Sequence, residues 1–202
     1  MNSSCLSTAS MPATLDARST ESALHLDHLA PLIFFYGLGS ERPQITFIDA
    51  SELPEEPRQL LVHDSDMTPR LRDHHRSDIQ LDVHARGKIG DYYVRASVLK
   101  RCFDGRAVEF GAIGIHLNIL PDEARRLVVE GKKPFGGILE EQAVPHSSHP
   151  RGYFRITIDH RLAELLDAIE GETLYGRCNE LRHASGKTLA DVVEVLPKSG
   201  TS

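Results

Sequence analysis

Residues 92–116 read YYVRASVLKRCFDGRAVEFGAIGIH, two alternating runs around Asp104-Gly105. Asp-Gly is a strong signal for a two-residue hairpin, because these residues tolerate the positive φ that a type I′ turn demands. Such a loop sets Phe103 opposite Arg106 and, stepping outward, Leu99 opposite Phe110, Ser97 opposite Ala112, Arg95 opposite Gly114 and Tyr93 opposite His116. Side chains alternate along a strand with period two, so all of these share one face. On that face Arg95 stands among Gly114, Ala112 and Ser97, with Tyr93 and Phe110 as walls. Either Arg95 is a solvated strand residue, or the small neighbours clear a pocket in which its guanidinium fork grips a carboxylate. His116 is read as a core or rim histidine.

The same alternation recurs at DVHARG, YFRITI, LYGRCNELRH and TLADVVEVL, each bounded by Gly, Pro or Asp. With the two runs above, this predicts about six strands. Helical patterns lie between them at PDEARRLVVEGK, where Pro121 opens and Gly131 closes the segment, at PFGGILEEQ and at DHRLAELLDAI. Strands mostly follow strands without βαβ alternation, so the expected fold is α+β, an antiparallel sheet with helices on one side.

A second hairpin turns at Ser185-Gly186. A two-residue loop sets Arg177 opposite Glu194, whereas a three-residue Ala-Ser-Gly loop shifts the register by one. Glu194 lies in VVEVLP, flanked by apolar residues on both faces. A carboxylate there is desolvated and its pKa raised unless a cation such as Arg177 counters the effect. The two residues are thus a structural ion pair, or Glu194 is a polar contact or proton acceptor for a ligand.

Residues 60–78, LLVHDSDMTPRLRDHHRSD, crowd His63, His74 and His75 among aspartates and invite a metal reading. His74 and His75 are adjacent and point apart, and His63 lies eleven residues before His74, so no regular ligand spacing results. Asp66 or Thr68 instead caps a helix beginning at Pro69. No metal is expected.

The chain of 202 residues is 40% hydrophobic and 26% charged, an ordinary globular composition with a core to bury. Its net charge of −6 is interleaved rather than grouped, which argues against a nucleic-acid partner. The longest apolar run, LAPLIFFYGLG at 29–39, is far short of the roughly 20 residues of a membrane span. No basic segment precedes it as a secretory signal requires, so a cytoplasmic location is expected. Cys5, Cys102 and Cys178 are odd in number and lack CxxC spacing, which predicts reduced thiols. Residues 1–20 are rich in Ser, Thr and Ala, and residues 51–59, SELPEEPRQ, read as linker material. A weak helix is expected over 24–36, and the chain divides into a leader, 1–50, and a domain, 51–202.

The ordered series HDSDMT, YYVR, FGAIGIHL, GKKPFGGIL, LYGRCNEL and SGKTLADVVEVLP resembles the chorismate pyruvate-lyase (4-hydroxybenzoate synthase) family over residues 58–198. The resemblance implies an antiparallel chorismate lyase-like sheet, no cofactor, and elimination of pyruvate from chorismate to give 4-hydroxybenzoate, a precursor of ubiquinone or a specialised aromatic product. It also implies that Arg95 and the backbone N–H groups of Met67 and Phe135 hold the ring carboxylate. Glu194 would meet the ring oxygen as base or orienting group, and Arg177 or a neighbouring cation would receive the side-chain carboxylate. Many relatives carry further basic residues where Cys178-Asn179-Glu180 stands here; alternation turns Cys178 and Glu180 away from the face of Arg177. Two other functions remain open. One is an enzyme of this kind acting on a related cyclohexadiene carboxylate. The other is a non-catalytic aromatic-acid-binding module, since effector domains of GntR-type regulators have a similar fold. No winged-helix pattern is recognised ahead of the domain, which argues against a regulator of that type.

Overall fold

The computed structural model describes residues 28–37 and 42–198. Residues 1–27 and 38–41 of the expected 1–50 leader lie outside them, including the part of the expected 24–36 helix before residue 28. The described strands are β1 (Gln44–Ile48), β2 (Ile79–Ile89), β3 (Tyr92–Arg101), β4 (Ala107–His116), β5 (His146–Thr157), β6 (Thr173–His183) and β7 (Thr188–Leu196). The described α-helices are α1 (Ala30–Tyr36), α2 (Glu55–Leu61), α3 (Met67–His75), α4 (Asp122–Glu130), α5 (Phe135–Glu141) and α6 (His160–Leu166). The strands form one antiparallel sheet in the order β1-β5-β6-β7-β4-β3-β2. Six of them stand where alternation predicts; the seventh, β1, is a five-residue edge strand paired with β5. Residues 51–59, read as linker, instead continue a 3₁₀ turn at Ala50–Glu52 and enter α2, which buries Leu60 and Leu61.

Helices cover both faces, not one. On one face α1 and α6 pack over Ala96, Val98, Phe110, Ala112, Val193 and Val195. On the other, α4 and α5 cover Tyr93, Ile113, Ile115 and Val192, while α2 and α3 cover Leu99 and Leu196. Burial on both sides explains why β3, β4 and β7 are nearly continuous apolar runs rather than strict alternations.

The first hairpin departs from the expected register. Its loop spans four residues, 102–105, closed by the Arg101 N–H donating to the Arg106 carbonyl at 3.0 Å, with Gly105 at φ 73°. Lys100 then faces Ala107 and Leu99 faces Glu109, so Val108 forms a bulge. Beyond it Ser97 faces Gly111 and Arg95 faces Ile113. This slip of one residue moves every β4 side chain to the other face. Phe110, Ala112 and Gly114 therefore lie away from Arg95. Phe110 packs on Phe35 with centroids 5.1 Å apart. The space beside Gly114 is taken by Tyr92, whose hydroxyl would lie 1.8 Å from a Cβ added there. Tyr93 shares the Arg95 face but is buried in the core under α4 and α5, and His116 stacks on Tyr92.

The second hairpin has the three-residue loop Ala184-Ser185-Gly186, yet Arg177 still faces Glu194. Arg182 faces Thr188 and Leu181 faces Ala190, so a bulge at Leu189 undoes the shift the loop introduced.

Candidate functional site

Where α3 and α5 begin, their first residues close over β3, β4 and β7 and leave a cavity of about 70 Å³. Met67, Thr68, Phe135 and Gly136 form its roof, and Arg95, Ser97, Glu109, Gly111 and Glu194 lie in its floor and walls. Gly111 contributes to the space, because a Cβ there would sit 3.1 Å from Glu109 Oε1. The roof is pinned by Asp66. Although it occupies the N-cap position of α3, Asp66 makes no side-chain cap bond; its carboxylate accepts from His146 Nε2 at 3.0 Å. That contact raises the His146 pKa, the hydrogen bond being the main cause. Neither Asp66 nor Thr68 therefore plays the expected capping part, Thr68 lying inside the helix that already starts at Met67.

Arg95 is 2% exposed. Its Nη2 donates to the Lys133 carbonyl at 3.3 Å, while Nε and Nη1 are buried with no hydrogen-bond partner among the described residues. Desolvation lowers its pKa to about 10, so the guanidinium stays charged at neutral pH. Glu109, on the adjacent strand, is likewise buried and its Oε2 is unpartnered among the described residues. Burial first, and the nearby Glu194 carboxylate second, push its pKa well above the ordinary range despite the opposing pull of Arg177. These surroundings favour its neutral acid form over the carboxylate.

Arg177 and Glu194 are spent on each other. Arg177 Nε donates to Glu194 Oε2, and Nη1 donates to the Leu61 and His63 carbonyls, both at 3.0 Å. Nη2 donates to the Ser65 carbonyl at 3.4 Å. Arg177 is fully buried beneath this segment and does not line the cavity, so it does not stand where a substrate carboxylate could reach it. His63 lies against it, its pKa lowered to about 4 by desolvation and then by the charges of Arg177 and Arg70.

The structure therefore brings together Arg95, Met67, Phe135 and Glu194 of the expected residues and leaves Arg177 behind the wall. It adds two that the sequence reading passed over. Asn179 lines the cavity and exchanges hydrogen bonds with Ser148, and Glu109 was hidden by the bulge at Val108.

No protein-family model matches the chain, and no curated protein matches it. Solved structures do. PhnF from Mycobacterium smegmatis superposes with a TM-score of 0.54 at 10% identity, over 68% of this chain and 65% of PhnF. This chain thus spans just under two thirds of that protein's length. The isolated effector domain of PhnF gives a TM-score of 0.51 at 10% identity, over 66% of this chain and 88% of the domain. The fold is chorismate lyase-like. A GntR-family transcriptional regulator from Bacillus cereus also matches, at 11% identity and a TM-score of 0.45, over 62% of this chain and 96% of the regulator chain.

The two PhnF superpositions correct the expected enzyme. The fold implied by the motif series is met here in the effector domain of PhnF, so the series indicates the fold and does not establish a chorismate pyruvate-lyase. Glu194, expected as base or orienting group, is ion-paired with Arg177. Among the described residues no helix is long and apolar enough to cross a membrane.

Proposed function

We propose that this domain is a non-catalytic module that binds a small organic carboxylate in the cavity between the sheet and the starts of α3 and α5. One observation carries the reading: a buried, charged guanidinium, with Nε and Nη1 unpartnered among the described residues, faces a cavity. An unpaired buried charge is costly, and a carboxylate that accepts from Nε and Nη1 offsets that cost with charge-assisted bonds. The effector domain of PhnF shares the fold, which is compatible with such a role but does not name a ligand. Glu194 and Arg177 hold the wall in place and perform no chemistry.

A panel of small carboxylates followed by thermal shift and calorimetry tests this. At least one acid raises the melting temperature in proportion to the logarithm of its concentration and is recovered unchanged. Arg95→Met lowers its affinity about 30-fold or more, since truncating one partner of a buried charged contact costs roughly 2–5 kcal/mol. Equal affinity in Arg95→Met would exclude the anchor, and turnover of the bound acid would exclude a binding module.

A further inference from the structure

The cavity has a second end. Glu109 enters it from β4, four residues from Ile113, the partner of Arg95. At ~3.3 Å per residue, Glu109 stems from a point roughly 13 Å along the strand from Ile113. Arg95 and Glu109 therefore address opposite ends of whatever lies between them. Each is more than nine-tenths buried, and each has a polar atom with no partner among the described residues. We propose that the cavity takes a slender ω-hydroxy carboxylic acid, its carboxylate on Arg95 and its terminal hydroxyl on Glu109. The inference rests on the carboxylate reading above and names the class of acid.

Three observations select this class. Glu194, which faces Gly111 in the register, lies near Glu109 and has its charge already matched by Arg177, so burial and repulsion favour the protonated form of Glu109. A neutral carboxyl donates through its O–H and accepts through its carbonyl, which complements a hydroxyl and not an ammonium group. With Glu109 neutral, Arg95, Arg177 and Glu194 leave one net positive charge, which a monoanion cancels. Finally, the cavity of about 70 Å³ is half the ~150 Å³ of an apolar cavity that accepts benzene, so an unbranched chain suits it better than a ring.

The test uses the full chain and three straight-chain series of three to five carbons, ending in methyl, hydroxyl or ammonium: the plain acids, the ω-hydroxy acids and the ω-amino acids. Titration calorimetry is expected to show, for at least one length, an ω-hydroxy acid binding about tenfold more tightly than both counterparts. Glu109→Leu removes that preference, so that the hydroxy and plain acids of each length bind alike, while Glu109→Gln, which keeps a donor and an acceptor, retains most of it. If Glu109→Leu does not fold, the three series on the unaltered protein decide alone. Equal binding of plain and hydroxy acids at every length overturns the inference while leaving the Arg95 carboxylate site standing. A preference for the amino acids overturns it by showing Glu109 ionised. Failure of every carboxylate, here and in the wider panel, overturns both.

Discussion

Glu109 combines three conditions that each disfavour a charge: full burial, an adjacent carboxylate, and an oxygen with no donor among the described residues. Its folded pKa lies above the ordinary 4.5, so below pH 4.5 the folded and unfolded chains are both protonated there and the residue leaves stability unaffected. As pH rises past 4.5 the unfolded chain releases its proton and the folded one does not, which costs up to about 1.4 kcal/mol per pH unit until Glu109 itself ionises. Glu109→Gln removes that titration. The variant and parent should therefore have matching denaturant midpoints near pH 4, with the variant becoming progressively the more stable of the two as pH rises above 4.5. A pH-independent difference would mean that Glu109 is ionised or solvated in the fold. The Arg177–Glu194 pair was legible in the sequence because the turn error and the Leu189 bulge cancel, restoring the register that simple pairing assumes. Arg95 was legible as a pocket residue for a partly mistaken reason. Its cleared space comes from Gly111 and Ser97, whereas Gly114 and Ala112 face the other core. The Val108 bulge is uncompensated, and it brings Glu109 to the Arg95 side of the sheet, where the expected pairing would have put it on the other.

At the level of elements, Arg177 ties the connection between α2 and α3 to the sheet through three backbone carbonyls and one carboxylate. Met67 follows directly on that connection, so the clamp sets how the roof of the cavity sits over Arg95. Arg177→Met should cost about 3–5 kcal/mol, the penalty for leaving Glu194 buried and unpaired. It should also raise amide exchange over residues 61–67 ahead of the rest of the sheet. The double variant Arg177→Met, Glu194→Leu should recover much of the stability but not the protection of that segment, because the carbonyls of Leu61, His63 and Ser65 lose their donor in both. Equal exchange across the whole domain in the single variant would refute a local clamp. The segment was misread for a physical reason. Pro54 and Pro57 with Glu55 and Glu56 look like linker composition, yet proline is tolerated in a first helical turn, where no intrahelical donor is needed. The acidic pair also suits the positive end of the helix dipole.

For the molecule as a whole, the N-terminal elements decide how much chain the domain needs. On the face opposite the cavity, α1 buries Leu32, Phe35 and Tyr36 against the sheet and α6. The Tyr36 hydroxyl donates to Asp159 Oδ1 at 2.9 Å, and the same oxygen caps α6 by accepting from the Leu162 N–H at 3.0 Å. Arg161 lies 3.7 Å over the Phe35 ring and donates to the Phe35 carbonyl. Full burial of a large apolar side chain stabilises by roughly 1.5–3 kcal/mol, so these three contribute roughly 5–9 kcal/mol. That is comparable to the whole net stability of ~5–15 kcal/mol for an ordinary domain. A chain starting at residue 51 loses these residues, the pairing of β1 with β5, and the cover over Phe110 and Phe154. It should lack a cooperative thermal transition in near-ultraviolet circular dichroism and expose apolar surface to dye. A chain starting at residue 28 keeps all of these contacts and should melt cooperatively, with the same carboxylate-induced shift as the full chain. A sharp, ligand-responsive melt from 51–202 would instead show that α1 and β1 are appendages, and that the cavity face alone holds the sheet together.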